Sequence, residues 1–216
     1  MKNYVTATKT FLGFCLLLFS CQSVKTSSIP YYKEASFSPH WLKKGSKEIK
    51  AFHRVAPFEL TNQEGEKIDN STFKGKIYVA DFFFTTCPGI CPKMTDNMRL
   101  IQAAFLTDPN VLLLSHSVTP SVDSVSVLKD YAKVKGVISS KWHLATGDKQ
   151  LIYSLGRKSY FVEEDLGLQK KETDFIHTEN FVLVDGDGHL RGIYNGLNKR
   201  SVNQLIEDIR TLRQGN

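Results

Sequence analysis

The residues best suited to chemistry are Cys87 and Cys91, within Thr85-Thr86-Cys87-Pro88-Gly89-Ile90-Cys91-Pro92. This segment follows Lys76 to Phe84 (KIYVADFFF), an aromatic and β-branched run that reads as a buried central strand. Pro88 and Gly89 favour a tight turn, and Pro92 suits a position near a helix start. Both sulfurs therefore fall at or near a helix N-terminus, where unpaired backbone N–H groups favour the thiolate. Three intervening residues set the cysteines about one turn apart if the segment is helical. Such a pair closes a disulfide or grips one soft metal ion. Two thiolates suit Cu(I), and an added imidazole extends binding to Cu(II). Zinc in a structural site wants four ligands. An inert staple disulfide is the bland alternative, but closing so short a loop adds little stability.

The chain's other two cysteines, Cys15 and Cys21, belong to the N-terminus. Lys2 and Lys9 make its start positive, and Phe11 to Phe19 form an apolar run about half the length needed to span a bilayer. Leu18-Phe19-Ser20-Cys21 resembles the lipobox of bacterial lipoproteins, which implies cleavage before Cys21 and lipid on its thiol. Residues 1–20 then form a signal peptide, 21–50 a lipidated N-terminus and tether, and 51–216 one domain. Within the tether, Tyr31, Tyr32 and Trp41 are candidates to pack on that domain. The implied location is exported and membrane-anchored, facing the periplasm or the cell surface. There, oxidising conditions allow the remaining cysteine pair to cycle.

Length and composition agree with one packed domain: 216 residues, 41% hydrophobic and 23% charged, need no disulfide to hold a core. The net charge of +6 falls to +4 without Lys2 and Lys9, leaving 26 basic against 22 acidic residues. That excess is scattered, with no basic stripe and interleaved aromatics, so nucleic acid is not an expected partner.

The elements that must position the cysteines read as alternating strands and helices. Pro57 to Leu60 and Lys67-Ile68 flank Glu64-Gly65 as a short hairpin. A helix runs through Met94, Met98, Ile101 and Phe105, then a buried strand over Val111 to Val118 and a helix over Ser121 to Lys135. Trp142 to Ala145 reads as a strand and Asp148 to Lys158 as a helix. Phe181 to Val184 and His189 to Tyr194 bracket Asp185-Gly186-Asp187-Gly188 as an antiparallel hairpin. In the last helix Ser201 and Gln204 suggest a capping box ahead of an apolar face of Val202, Leu205, Ile206, Ile209 and Leu212. This order is thioredoxin-like, an α/β core with an N-terminal hairpin and the CxxxC motif at the start of the first core helix.

The segment from Asp81 to Met98, with CxxxCP after an aromatic strand, resembles the Sco/SenC family of copper-binding proteins. The resemblance extends over most of residues 50 to 214, including Ile176-His177-Thr178 ahead of the Asp185 to Gly188 turn. It implies one copper, as Cu(I), Cu(II) or both, held by Cys87, Cys91 and His177. It also implies a metallochaperone role, with copper delivered to the dinuclear copper site of cytochrome c oxidase or that site's cysteines reduced. The implied partner is the copper-receiving subunit of the oxidase or another exported cuproprotein. Two positions depart from the family's usual pattern. Thr119 stands in Ser117-Val118-Thr119-Pro120 where the family often has aspartate, and Ile176 stands where aspartate often precedes the histidine. Neither change removes a ligand, but both bear on accessory carboxylates.

An exported thiol–disulfide oxidoreductase is the alternative, because it needs only the cysteine pair and access for a mixed disulfide. Asp81, six residues before Cys87, matches the buried acid of thioredoxins or is a polar residue at a strand edge. Met94 and Met98 read as core. His116 reads as a core histidine, His53, His143 and His189 as surface or loop residues, and His40 as part of the tether.

Overall fold

Strand β3 (Ile77–Phe83) is buried along its whole length, and the fold is arranged around it. The computed structural model describes residue 1 and residues 29–43, 45–162 and 178–215. The other strands are β1 (Glu59–Asn62), β2 (Lys67–Asp69), β4 (Val111–Ser117), β5 (Trp142–Thr146), β6 (Asn180–Val184) and β7 (Leu190–Asn195). With β3 they form one seven-stranded sheet in the order β2-β1-β5-β4-β3-β6-β7. β3, β4 and β5 run parallel, while β1, β2 and the β6–β7 hairpin pair antiparallel at the two sides.

Among the described residues the α-helices are α1 (Lys47–Lys50), α2 (Asn70–Phe73), α3 (Cys91–Ala104), α4 (Val125–Lys135), α5 (Lys149–Ser154) and α6 (Lys199–Gln214). Because side chains alternate along a strand, Ile77, Val79 and Phe83 of β3 face α3, α4 and α6. Tyr78, Ala80 and Phe82 face the other way, toward α2 and α5. Burying both faces explains the nearly unbroken apolar runs of β3 and β4. Met98, Ile101, Leu128 and Val202 are each 0% exposed, and each contributes about 1.5–3 kcal/mol by leaving water. The resulting architecture is thioredoxin-like, with the β1–β2 hairpin added at one sheet edge.

Several element boundaries differ from the sequence expectation, each for a local reason. α6 starts at Lys199, not behind Ser201, because the Asn198 side chain accepts from the backbone N–H groups of Arg200 and Ser201. α4 starts at Val125, because Ser124 caps it, and ends where Gly136 takes φ 67, a left-handed value that glycine adopts at little cost. The helix expected to reach Lys158 is α-helical only to Ser154 and continues as a π-helical turn over Leu155–Ser159. His189 is not a surface residue: it is 1% exposed, and its Nδ1 lies 2.8 Å from the His53 carbonyl.

The stretch around Tyr31 lies against the sheet. Tyr32 bridges to Leu190 at the start of β7, and Tyr31 bridges to His40. Arg191 stacks over the Tyr31 ring at 3.8 Å and donates to the carbonyls of Ile29 and Pro30, while pairing with Asp185 at 3.0 Å. Trp41 remains 65% exposed. Among the described residues no helix is long and apolar enough to cross a membrane. Residues 2–20 of the expected signal sequence, Cys21 and His177 lie outside the described residues.

Candidate metal centre

Parallel strands end together, and β3 and β4 deliver their C-terminal ends to one rim of the sheet. Open α/β sheets place their chemistry at this rim. From it the chain turns through Thr85 and Thr86 into Cys87, whose N–H bonds to the Phe84 carbonyl at 3.3 Å. Cys91 is the first residue of α3, with Pro92 in the helix's first turn, where a missing N–H costs nothing. Thr85 and Thr86 form a turn and residues 88–90 a run of bends, with no helix before Cys91, so the pair is joined by loop geometry.

Both thiols are free, Cys87 half-buried and Cys91 buried. They hydrogen bond to each other. Burial alone raises the Cys87 pKa. Donation from the Cys91 thiol and from the backbone N–H groups of Cys91, Gly89 and Ile90 outweighs it and holds Cys87 below the ordinary thiol value. Cys91 is pushed up to about 12, first by burial, then by its bond to Cys87 and by the nearby charges of Cys87 and Asp81. One accessible nucleophilic sulfur thus sits on a second, protonated one. This arrangement suits a soft cation, which displaces the thiol proton that remains on Cys91, and it suits disulfide closure equally.

Asp81 is not at a strand edge. It is 2% exposed, on the face of β3 that carries α3. Ser115 donates to its carboxyl, and Ser115 in turn accepts from the Trp142 indole at 2.8 Å. Its Oδ1 has no partner among the described residues. Burial pushes its pKa up from 3.8 to about 7, against the smaller lowering by Ser115. The native state therefore holds a proton that the unfolded chain releases above pH 3.8, and stability falls as pH rises from about 4 to 7. Asp81→Asn, neutral throughout, is expected to gain stability over wild type across that window. The gain should level off above pH 7 at about 2–4 kcal/mol. Urea unfolding at pH 5 and pH 8 checks this; an equal difference at both values contradicts it.

Beside the thiols, Tyr131 and Thr95 share a hydrogen bond at 2.8 Å, and Thr95 also donates to the Cys91 carbonyl. Met94 and Met98 are core residues, 1% and 0% exposed. On the opposite sheet face, His116 is buried beneath Phe82, ring centroids 4.6 Å apart, with Nδ1 3.2 Å from the Asp81 carbonyl. Burial lowers its pKa to about 4, so it is neutral in the fold. Among the described residues no group of three His, Cys, Asp or Glu side chains is placed to hold a metal. Within those residues the pair stands with two sulfurs alone. Sequence reasoning found the pair and Asp81. It missed Asp123, which has no motif of its own and is reached only through its contacts.

Comparison with known proteins narrows the class. The family model described as SCO1/SenC matches residues 46–214. The SCO1 protein homolog of Bacillus subtilis is 32% identical over 163 residues, covering 74% of this chain and 82% of that protein. The crystal structure of a SCO1/SenC family lipoprotein from Bacillus anthracis is similar with a TM-score of 0.65 and 30% identity, over 74% of this chain and 95% of the other. ScoI of Bradyrhizobium japonicum, solved with copper bound, is similar with a TM-score of 0.58 and 26% identity, over 73% of this chain and 98% of the other. A thioredoxin-like domain with a paired-cysteine rim is thus the general class. Within it, the chain belongs to the SCO1/SenC family.

Proposed function

We propose that this chain is a copper metallochaperone that takes one copper ion as cargo on Cys87, Cys91 and His177. The observation that carries the reading is the pair of free, mutually hydrogen-bonded thiols, one partly exposed and held below the ordinary thiol pKa. Softness matches them to Cu(I), and an imidazole adds the third ligand that low-coordinate copper accepts. The copper-bound relative supports the choice of metal. Members of the family are linked to the copper assembly of cytochrome c oxidase. We assign the dinuclear copper site of that enzyme, on its copper-receiving subunit, as the destination. Another exported cuproprotein is the alternative acceptor.

Export by the signal peptide of residues 1–20 and lipid on Cys21 would hold the domain at a membrane face. The lipoprotein relative supports that placement. Residues 21–50 then link the lipid to the domain of residues 51–216.

His177→Ala tests the reading against a thiol–disulfide oxidoreductase. In anaerobic competition with a chelator of known affinity, the variant should bind Cu(I) at least tenfold more weakly than wild type, about 1.4 kcal/mol. Unchanged copper affinity, with disulfide reductase turnover also unchanged, would transfer the function to the cysteine pair alone.

A further inference from the structure

Asp123 is 0% exposed, and its carboxylate gathers four hydrogen bonds from neutral donors. Thr85 donates twice, from its backbone N–H to Oδ2 at 3.3 Å and from its hydroxyl to Oδ1 at 2.5 Å. Ser117 and Thr119 donate to Oδ2 at 2.5 Å and 3.0 Å. No Lys, Arg or His forms an ion pair with it among the described residues. A buried carboxylate without a cation is costly, and a full set of donors is what makes it tolerable.

The donors come from separate elements. Thr85 lies two residues beyond the end of β3 and two before Cys87, Ser117 ends β4, and Asp123 directly precedes the Ser124 cap of α4. One side chain therefore ties the rim of the sheet to the root of the cysteine loop. Thr119, at a position where an aspartate would set a second carboxylate against the first, supplies a donor to it instead.

We infer that Asp123 is a positioning residue. By fixing Thr85 at both its N–H and its hydroxyl, it holds the Thr85–Cys91 loop in the conformation that brings the two thiols into contact. The inference rests on Cys87 and Cys91 acting as a pair, and it deepens the copper reading by naming what preorganises that pair. Without the anchor the loop samples other conformations, and both disulfide closure and two-sulfur metal binding must order it again.

The test uses the full chain with Asp123→Ala and Asp123→Asn, each shown to be folded by circular dichroism and thermal melting. Two equilibria are read. One is oxidation by glutathione disulfide: the two thiols form the Cys87–Cys91 bond, the glutathione S–S bond breaks, and two glutathione thiols carry away the electrons and protons. The other is Cu(I) affinity by chelator competition. Asp123→Ala should make disulfide formation at least tenfold less favourable, about 30 mV, and weaken Cu(I) binding at least tenfold. Asp123→Asn should stay within about threefold of wild type in both. Its carbonyl can accept at the Oδ2 position, and its amide can donate to a rotated Thr85 hydroxyl. If Asp123→Ala does not fold, Thr85→Val, which removes one hydroxyl and keeps the N–H, carries the test with an expected change of at least fivefold in both equilibria. A folded Asp123→Ala, or in its place Thr85→Val, with wild-type values in both readouts would overturn the inference. So would an Asn variant that loses as much as Ala, since charge rather than anchoring would then be at work. If wild type itself fails to bind Cu(I), the copper reading falls, while the glutathione equilibrium still decides the role of Asp123.

Discussion

Cys91→Ser and Cys87→Ser are each expected to weaken Cu(I) binding at least a hundredfold, about 2.7 kcal/mol. The reason is chemical rather than structural. Serine nearly matches cysteine in shape, and the loop stays anchored at Thr85, so the variants should fold. What is lost is one of two soft sulfur donors, replaced by a hard hydroxyl that does not deprotonate in the working range. The two variants should differ in their residual chemistry. In Cys91→Ser, Cys87 keeps the backbone donors of Gly89, Ile90 and residue 91, so it stays reactive toward alkylating agents. In Cys87→Ser the survivor is the buried Cys91, and alkylation should be slow. Chelator competition and iodoacetamide kinetics on the same preparations check both statements. Wild-type copper affinity in either variant would contradict the two-sulfur site.

Arg191→Ala should cost about 3 kcal/mol of stability, a magnitude typical of breaking a buried ion pair on one side. The Arg191 side chain is only 10% exposed and faces an Asp185 carboxylate that is 11% exposed, so truncation strands a buried negative charge. The same guanidinium stacks on Tyr31 and donates to the carbonyls of Ile29 and Pro30, so the N-terminal stretch loses its main polar attachment to β7. For a domain of this size the melting temperature should fall by about 6–12 °C. Limited proteolysis should cut within residues 29–43 well before the sheet. A variant that melts within 2 °C of wild type, by this order-of-magnitude scale, would show that the attachment contributes little.

The elements legible in the sequence were those whose pattern reports burial directly. β3 and β4 announce themselves as apolar runs because both their faces are covered, and α6 as an amphipathic stripe from Val202 to Leu212. The boundaries were less legible, because caps compete locally. Ser201 and Gln204 offer a plausible capping box, yet Asn198 reaches two backbone N–H groups first and begins the helix earlier. The π-helical turn at Leu155–Ser159 carries no sequence signal of its own.

At the site, the spacing of Cys87 and Cys91 revealed the pair, but not that loop geometry joins its thiols. Asp81 was ambiguous because its neighbours decide its role. Only the alternation along β3 and the Ser115 contact place it inside, under α3. Asp123 was invisible for the opposite reason. In Thr119-Pro120-Ser121-Val122-Asp123 it reads as an ordinary loop acid, and its meaning depends on Thr85, 38 residues away.

The copper stoichiometry of the fully reduced wild-type chain decides whether Cys87, Cys91 and His177 hold one ion. Titration with Cu(I) under anaerobic conditions, against a chelator of known affinity, should give one tightly held ion per chain. X-ray absorption on the loaded protein should show two sulfur neighbours and one nitrogen. Loading that never approaches one ion per chain, or a copper environment without two sulfurs, would contradict the metallochaperone reading.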